Sequence, residues 1–194
     1  MEKRLIFCVG LPSTGKTWCA VEIGLQQVLE GKYEKLIIVR PVILPKCGLL
    51  KGTLEDKMAP YIRQANVYCE GYSGRNVEDL ERNGQLEIIP ADLLQGDRFQ
   101  NSFVILDELQ NVHKDETFAI LSRVGENSKF VVIGDNSKGQ ENKKVKQGNS
   151  ILDYCLETFY NKDYVGIHKF YEIEDLLGDE CTKDIIITLL PDFM

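Results

Sequence analysis

Short, continuously apolar runs, many of them β-branched, recur along the chain at Leu5–Val9, Leu36–Val39, Leu86–Ile89, Phe103–Leu106, Phe130–Ile133, Tyr164–Tyr171 and Ile185–Leu190. Each is bounded by polar or turn-forming residues and has the length of a strand. Between them the apolar positions fall at helical spacing over Lys16–Glu30, Leu54–Val67, Val77–Asn83, Lys114–Val124 and Ser150–Phe159. In the first of these stretches Trp18, Val21, Leu25 and Val28 share one face, with Glu22, Gln26 and Glu30 mostly elsewhere. A strand that is apolar at every position has both faces covered. Its alternation with amphipathic helices therefore predicts an α/β fold whose mostly parallel sheet carries helices on both sides. Pro60 is expected to kink or divide the second helix, because its ring removes a backbone donor and crowds the preceding turn. The polar stretch Asn136–Ser150, carrying Lys138, Lys143, Lys144 and Lys146, reads as an exposed loop. With no repeat, low-complexity tract or linker in 194 residues, a single domain over 1–194 is expected.

The first apolar run leads straight into Gly10-Leu11-Pro12-Ser13-Thr14-Gly15-Lys16-Thr17. This is the G-x-x-x-x-G-K-[ST] pattern of a phosphate-binding loop, set where the chemistry requires it, after a strand and before a helix. The glycines let successive backbone N–H groups turn inward on a polyphosphate. Lys16 brings a compact charge to the terminal phosphates, Thr17 offers a hydroxyl to a magnesium ion, and the helix adds the positive end of its dipole.

A second half of such a site is expected at Phe103-Val104-Ile105-Leu106-Asp107-Glu108. Four apolar residues followed by two acids describe a central strand that emerges with carboxylates at its C-terminal edge, where open α/β sheets bind ligands. Asp107 would hold magnesium and Glu108 would orient and deprotonate an attacking water. A third apolar strand ends in Gly134-Asp135. Asp135 there serves either to sense the terminal phosphate or simply to make a turn.

Composition narrows the class without changing it. An apolar fraction of 43% and a charged fraction of 27% are ordinary for a soluble domain. A net charge of −7 argues against a protein coated for nucleic acid, though not against a local basic groove. The six cysteines are scattered, without a C-x-x-C pair, and suit reduced, buried thiols in the cytoplasm. No stretch reaches the length of a membrane span. The opening Met1-Glu2-Lys3-Arg4 before Leu5–Leu11 faintly imitates a signal peptide, but the run is short and feeds the loop, so it is read as the first strand. His113 and His168 lie far apart, and no cysteine spacing suits zinc.

In order, these pieces resemble the PhoH family, nucleotide-binding proteins related to the ATPase core of superfamily-one helicases. The resemblance is carried by the loop Gly10–Thr17, by Val39-Arg40-Pro41-Val42, and by Gly48-Leu49-Leu50-Lys51-Gly52 leading to Asp56–Arg63. It continues through Leu86–Pro90, the run Asp107-Glu108-Leu109-Gln110-Asn111, Leu121–Gly125 with Ser128-Lys129, and Gly134-Asp135. It implies a RecA-like P-loop core, ATP with Mg2+ as ligands, ATP hydrolysis, and a link to RNA or single-stranded DNA. It also implies a homo-oligomeric ring in which one subunit's arginine reaches a neighbour's nucleotide. Arg123 is the candidate for that role, against the plainer reading of a solvated helix-end arginine. Arg40 and Arg63 are the positions where a helicase-like core would meet nucleic-acid phosphates. The chain departs from the family at Gln95-Gly96-Asp97, at Lys138 and at Gly178-Asp179-Glu180, and its loop begins at residue 10, before which family members carry adenine-contacting residues. So compact a form suits a viral or otherwise minimal member.

Two other functions compete. A nucleotide-gated assembly module would use ATP to order an interface with negligible turnover. A thymidine-kinase-like enzyme would share the loop and the Asp-Glu-x-Gln run, but those enzymes usually add paired zinc-binding cysteines, which this sequence lacks.

Overall fold

The structure is a computed structural model that describes residues 2–41, 53–94, 98–112, 114–135, 151–172, 175–183 and 185. Strand β1 (Leu5–Gly10) runs into the phosphate loop and helix α1 (Lys16–Leu29). Then come β2 (Lys35–Arg40), α2 (Leu54–Ser73), α3 (Val77–Arg82), β3 (Leu86–Pro90) and β4 (Ser102–Leu106). The order closes with α4 (Lys114–Leu121), β5 (Lys129–Gly134), α5 (Ile151–Phe159) and β6 (Val165–Phe170).

All six strands are parallel, in the order β3-β2-β4-β5-β1-β6. The strand of the phosphate loop and the strand of the acids are thus separated by β5. Val9 of β1 pairs with Gly134 of β5, and Val39 of β2 with Leu106 of β4, so three functional strand ends come out level along one edge. This is the parallel sheet with helices on both faces that the alternating pattern predicted, and it is consistent with the RecA-like P-loop core that the resemblance implies.

Because side chains alternate across a strand, each strand feeds two cores. Leu36, Ile38, Phe103, Ile105, Val131 and Ile133 face α1, α2 and α3, where Val21, Leu25, Val28, Cys69 and Leu80 meet them. Phe7, Val9, Ile37, Val39, Val104, Leu106, Phe130 and Val132 face the other way, onto Ile120 of α4 and Leu152 and Cys155 of α5. Central strands β4 and β5 are buried on both sides, which is why their sequences carry no alternation.

Three expectations are corrected. Helix α2 is not divided at Pro60 but runs unbroken to Ser73. A capping box at its start, in which Thr53 and Asp56 satisfy each other's backbone N–H groups, and the burial of Met58, Ala65 and Cys69 offset the cost of the exposed proline. Trp18 does not join the buried face of α1, which consists of Ala20, Val21, Gly24, Leu25 and Val28; it is 43% exposed. Ile185 is helical rather than extended, in line with residues 180–183, whose start is capped by Asp179 accepting the Thr182 N–H at 2.7 Å. The rest of the strand expected over Ile185–Leu190, the loop Asn136–Ser150, His113 and Cys47 lie outside the described residues.

The described cysteines are free. Cys69 and Cys155 are buried, with burial pushing their thiols up to about 11, whereas Cys19 and Cys181 are exposed. No helix among the described residues is long and apolar enough to cross a membrane.

Helix α1 approaches the sheet through Gly24. A Cβ there would stand 2.8 Å from Phe103 Cδ1 and 2.9 Å from Leu36 Cδ1. Gly24→Val is therefore expected to lower unfolding free energy by about 1–3 kcal/mol through overpacking, as read by urea denaturation.

Candidate nucleotide site at the sheet edge

The loop leaves β1 in a conformation that only its particular residues allow. At Gly10 φ is 139°, and a Cβ would lie 2.1 Å from the Phe170 carbonyl oxygen at the end of β6. At Gly15, where φ is 74°, the chain turns into the first residue of α1. Thr14 is buried and its hydroxyl donates to the Leu11 carbonyl at 3.1 Å, fixing the inside of the curl. Lys16 folds back over this curl, its ammonium donating to the Gly10 carbonyl at 3.1 Å, to the Thr14 hydroxyl at 2.9 Å and to the Leu11 carbonyl. Burial pulls the Lys16 pKa down, and the carboxylates of Asp135, Glu108 and Asp107 push it back up.

Asp107 stands just past β4 and is 2% exposed. A charge so placed must be surrounded by partners. Its Oδ1 accepts from the Thr17 hydroxyl at 3.1 Å and from the Glu108 N–H at 3.0 Å, and its Oδ2 lies 2.6 Å from Arg40 Nη2. Burial raises the Asp107 pKa, while the Arg40 guanidinium and the Thr17 hydroxyl act against the rise. Arg40 also donates to the Gln64 side-chain oxygen, and Gln64 donates onward to the Tyr68 hydroxyl at 2.8 Å, both on α2.

Glu108 adopts a left-handed backbone conformation, φ 58° and ψ 40°, uncommon for a residue with a Cβ. Its carboxylate accepts from Gln110 Nε2 at 2.7 Å and from Asn111 Nδ2 at 3.3 Å. Gln110, 1% exposed, turns its oxygen to the backbone N–H of Asp135 at 3.1 Å. One side-chain amide therefore ties the acid after β4 to the end of β5. Burial, and then the Asp107 charge, raise the Glu108 pKa, and the Gln110 donor and Arg40 lower it.

These groups line one cleft of about 340 Å3, bounded by Pro12–Trp18, Arg40, Gln64, Tyr68, Glu108, Gln110 and Ile133–Asp135. Of the expected site residues, Pro12 to Thr17, Glu108 and Asp135 line it; Asp107 forms its floor beneath Thr17, and Gly10 and Leu11 supply the carbonyls beneath Lys16. Arg40, expected to project from the end of β2, is instead 9% exposed and paired with Asp107. Arg63 is exposed on α2, next to the inward-turned Gln64. Arg123 is half-buried at the opposite edge, lining a separate cavity of about 750 Å3 with Lys35, Glu87, Arg98 and Ser102, and does not meet its own chain's cleft. Sequence reasoning missed the bridging role of Gln110, although it lay within the quoted acidic run. It also missed Gln64 and Tyr68, whose only signal was an i, i+4 pair on one helix face.

A family model described as PhoH-like protein matches residues 1–188. The chain belongs to the PhoH-like family. It is 32% identical to Protein PhoH of Escherichia coli over 95% of this chain and 52% of that protein. It is 34% identical to a PhoH-like protein of Synechocystis over 78% of this chain and 47% of the other, and 33% identical to one of Bacillus subtilis over 79% and 49%. The chain thus spans about half the length of these PhoH relatives. PhoH-family proteins are known as ATP-binding P-loop proteins.

Removing Arg40 leaves the Asp107 carboxylate buried without its cation. Arg40→Met is expected to cost about 3–5 kcal/mol of stability. Arg40→Met combined with Asp107→Asn is expected to recover part of that loss in the same denaturation assay.

Proposed function

We propose that this chain binds ATP with Mg2+ on Gly10–Thr17 and hydrolyses it, with turnover coupled to single-stranded RNA and to assembly of a ring. What carries the reading is the direct contact between Thr17 and Asp107, residues 90 positions apart, behind a cleft that Lys16, Thr17 and Glu108 line. A hydroxyl and a carboxylate side by side are hard oxygen donors suited to Mg2+, which takes few protein ligands and leaves the remainder to phosphates and water. Thr17 and Asp107 are thus the residues that would hold the ion, whose charge would offset that of the phosphates.

The chain's own groups supply the rest. The loop N–H groups and Lys16 hold the triphosphate, and Glu108 orients a water against the terminal phosphorus. As the water oxygen bonds to phosphorus and the bond to the bridging oxygen breaks, Glu108 takes the proton, leaving ADP and inorganic phosphate. Gln110 positions that carboxylate and connects it to Asp135. The RNA link and the ring rest on the family's helicase-like core. Exposed Arg63 is the remaining candidate for a polymer phosphate, and Arg123, remote from its own cleft, suits only a neighbour's.

The test is phosphate release from ATP and Mg2+, with and without single-stranded RNA. Lys16→Ala is expected to abolish nucleotide binding, and Glu108→Gln to bind ATP yet release no phosphate. Normal turnover in Glu108→Gln would remove Glu108 from its role, and tight binding without release in the wild type would favour a nucleotide-gated module. Unchanged release on adding RNA would remove the RNA coupling.

A pH profile gives an independent check. Glu108 must be ionised to take a proton and its pKa is raised by burial, so activity falls on acidification at a pH above the ordinary glutamate range. The Gln110 N–H favours the ionised form. Gln110→Leu is therefore expected to move that acid limb to higher pH.

A further inference from the structure

The order of strands gives a bound nucleotide a direction. Along the C-terminal edge the sequence is β4, β5, β1, β6. Asp107 and Glu108 leave β4, Asp135 leaves β5, the phosphate loop leaves β1, and Tyr171 follows β6. The terminal phosphate has to lie on the β4–β5 side for Glu108 to act on it. The remainder of the nucleotide then extends across the loop toward β6, a distance of three strand spacings of about 4.8 Å, comparable with an extended nucleoside triphosphate.

Beside the polar loop two apolar side chains stand in solvent, Leu177 and Trp18. Leu176 is buried at 2%, but Leu177 is 54% exposed. The Leu177 N–H donates to the Ser13 carbonyl at 2.8 Å, which pins Leu177 to the loop. Its side chain covers Gly15 so closely that a Cβ there would stand 2.6 Å from Leu177 Cδ1. Trp18, the chain's single tryptophan, stands in the opening turn of α1, beside Gln64 and Tyr68 of α2. It lines the mouth of the nucleotide cleft and is 43% exposed. Tryptophan in a first helical turn normally packs inward on an amphipathic helix, yet the apolar face of α1 is complete without it.

We propose that Trp18 and Leu177 form the two walls of a slot for the nucleotide base, with Trp18 stacking on its aromatic face and Leu177 closing the slot. The proposal rests on the triphosphate lying on Gly10–Thr17. Such a slot holds a base through its π-face and its area rather than through a hydrogen-bond pattern, so it favours purines over pyrimidines and separates adenine from guanine weakly.

Calorimetric titration with ATP and with tripolyphosphate, both with Mg2+, separates the slot from the loop, because tripolyphosphate carries the charges without a base. Trp18→Ala is expected to weaken ATP about tenfold, the scale of a lost base–aromatic stack. Leu177→Ala should weaken it less, and Trp18→Phe should restore most of the affinity. None of the three should change the affinity for tripolyphosphate, and the wild type should bind ATP and GTP more tightly than CTP. Unchanged ATP affinity in both alanine variants would overturn the slot, as would equal losses for ATP and tripolyphosphate. A wild type that binds tripolyphosphate as tightly as ATP would remove the slot and leave the loop standing. A wild type that binds neither would remove the loop assignment and the slot together.

Discussion

A buried carboxylate governs the layout of this protein. Asp107 sits at the tip of a central strand with almost no contact with water, and a charge in that position is unfavourable unless it is paired and hydrogen-bonded. Its partners come from three elements: Thr17 from the start of α1, Arg40 from the end of β2, and the backbone N–H of Glu108. Matching them demands that β2, β4 and α1 be level at one edge of the sheet. The parallel registers of β4 against β2 and β5, and of β1 against β5, provide that alignment.

The same requirement connects the periphery to the centre. Arg40 reaches Asp107 with one nitrogen and Gln64 with another, and Gln64 reaches Tyr68, so α2 is wired to the floor of the cleft through side-chain hydrogen bonds. On the other flank Gln110 links Glu108 to the N–H of Asp135. Gly134 reinforces this link, since a Cβ there would be 2.9 Å from the Gln110 oxygen. The acid pair is thus braced from both sides, and the unusual backbone of Glu108 is a cost the bracing sustains.

The sheet, its helices and the pairing of loop with acids were legible in the sequence because each leaves a local imprint. Continuous apolar strands imply cover on both faces, and a glycine-framed lysine after a strand has few other uses. What was not legible depended on three-dimensional competition for partners. Arg40 before Pro41 looks like a projecting cation, and nothing nearby says that a carboxylate from β4 will claim it. Trp18 fits the apolar stripe of α1 by spacing, but the stripe turns toward Phe103 and Leu36 through Gly24, which rotates Trp18 to the rim. Pro60 follows the usual rule against helix interiors, and only the cap at Thr53 and the buried residues beyond it show why α2 continues.

The pairing of β1 has a consequence for how the protein is made. Of the six described strands, the one that carries the phosphate loop is made before the other five, yet its neighbours are β5 and β6, the last two in chain order. By contrast β2 finds β3 and β4 within the middle of the chain. During synthesis β1 must therefore wait, its apolar residues unsatisfied, while the centre of the sheet forms beside it. The Leu11 N–H of the phosphate loop gains its acceptor only once Phe170 has been made. The loop thus precedes the acids in the sequence, while the strand that carries it completes its pairing after theirs.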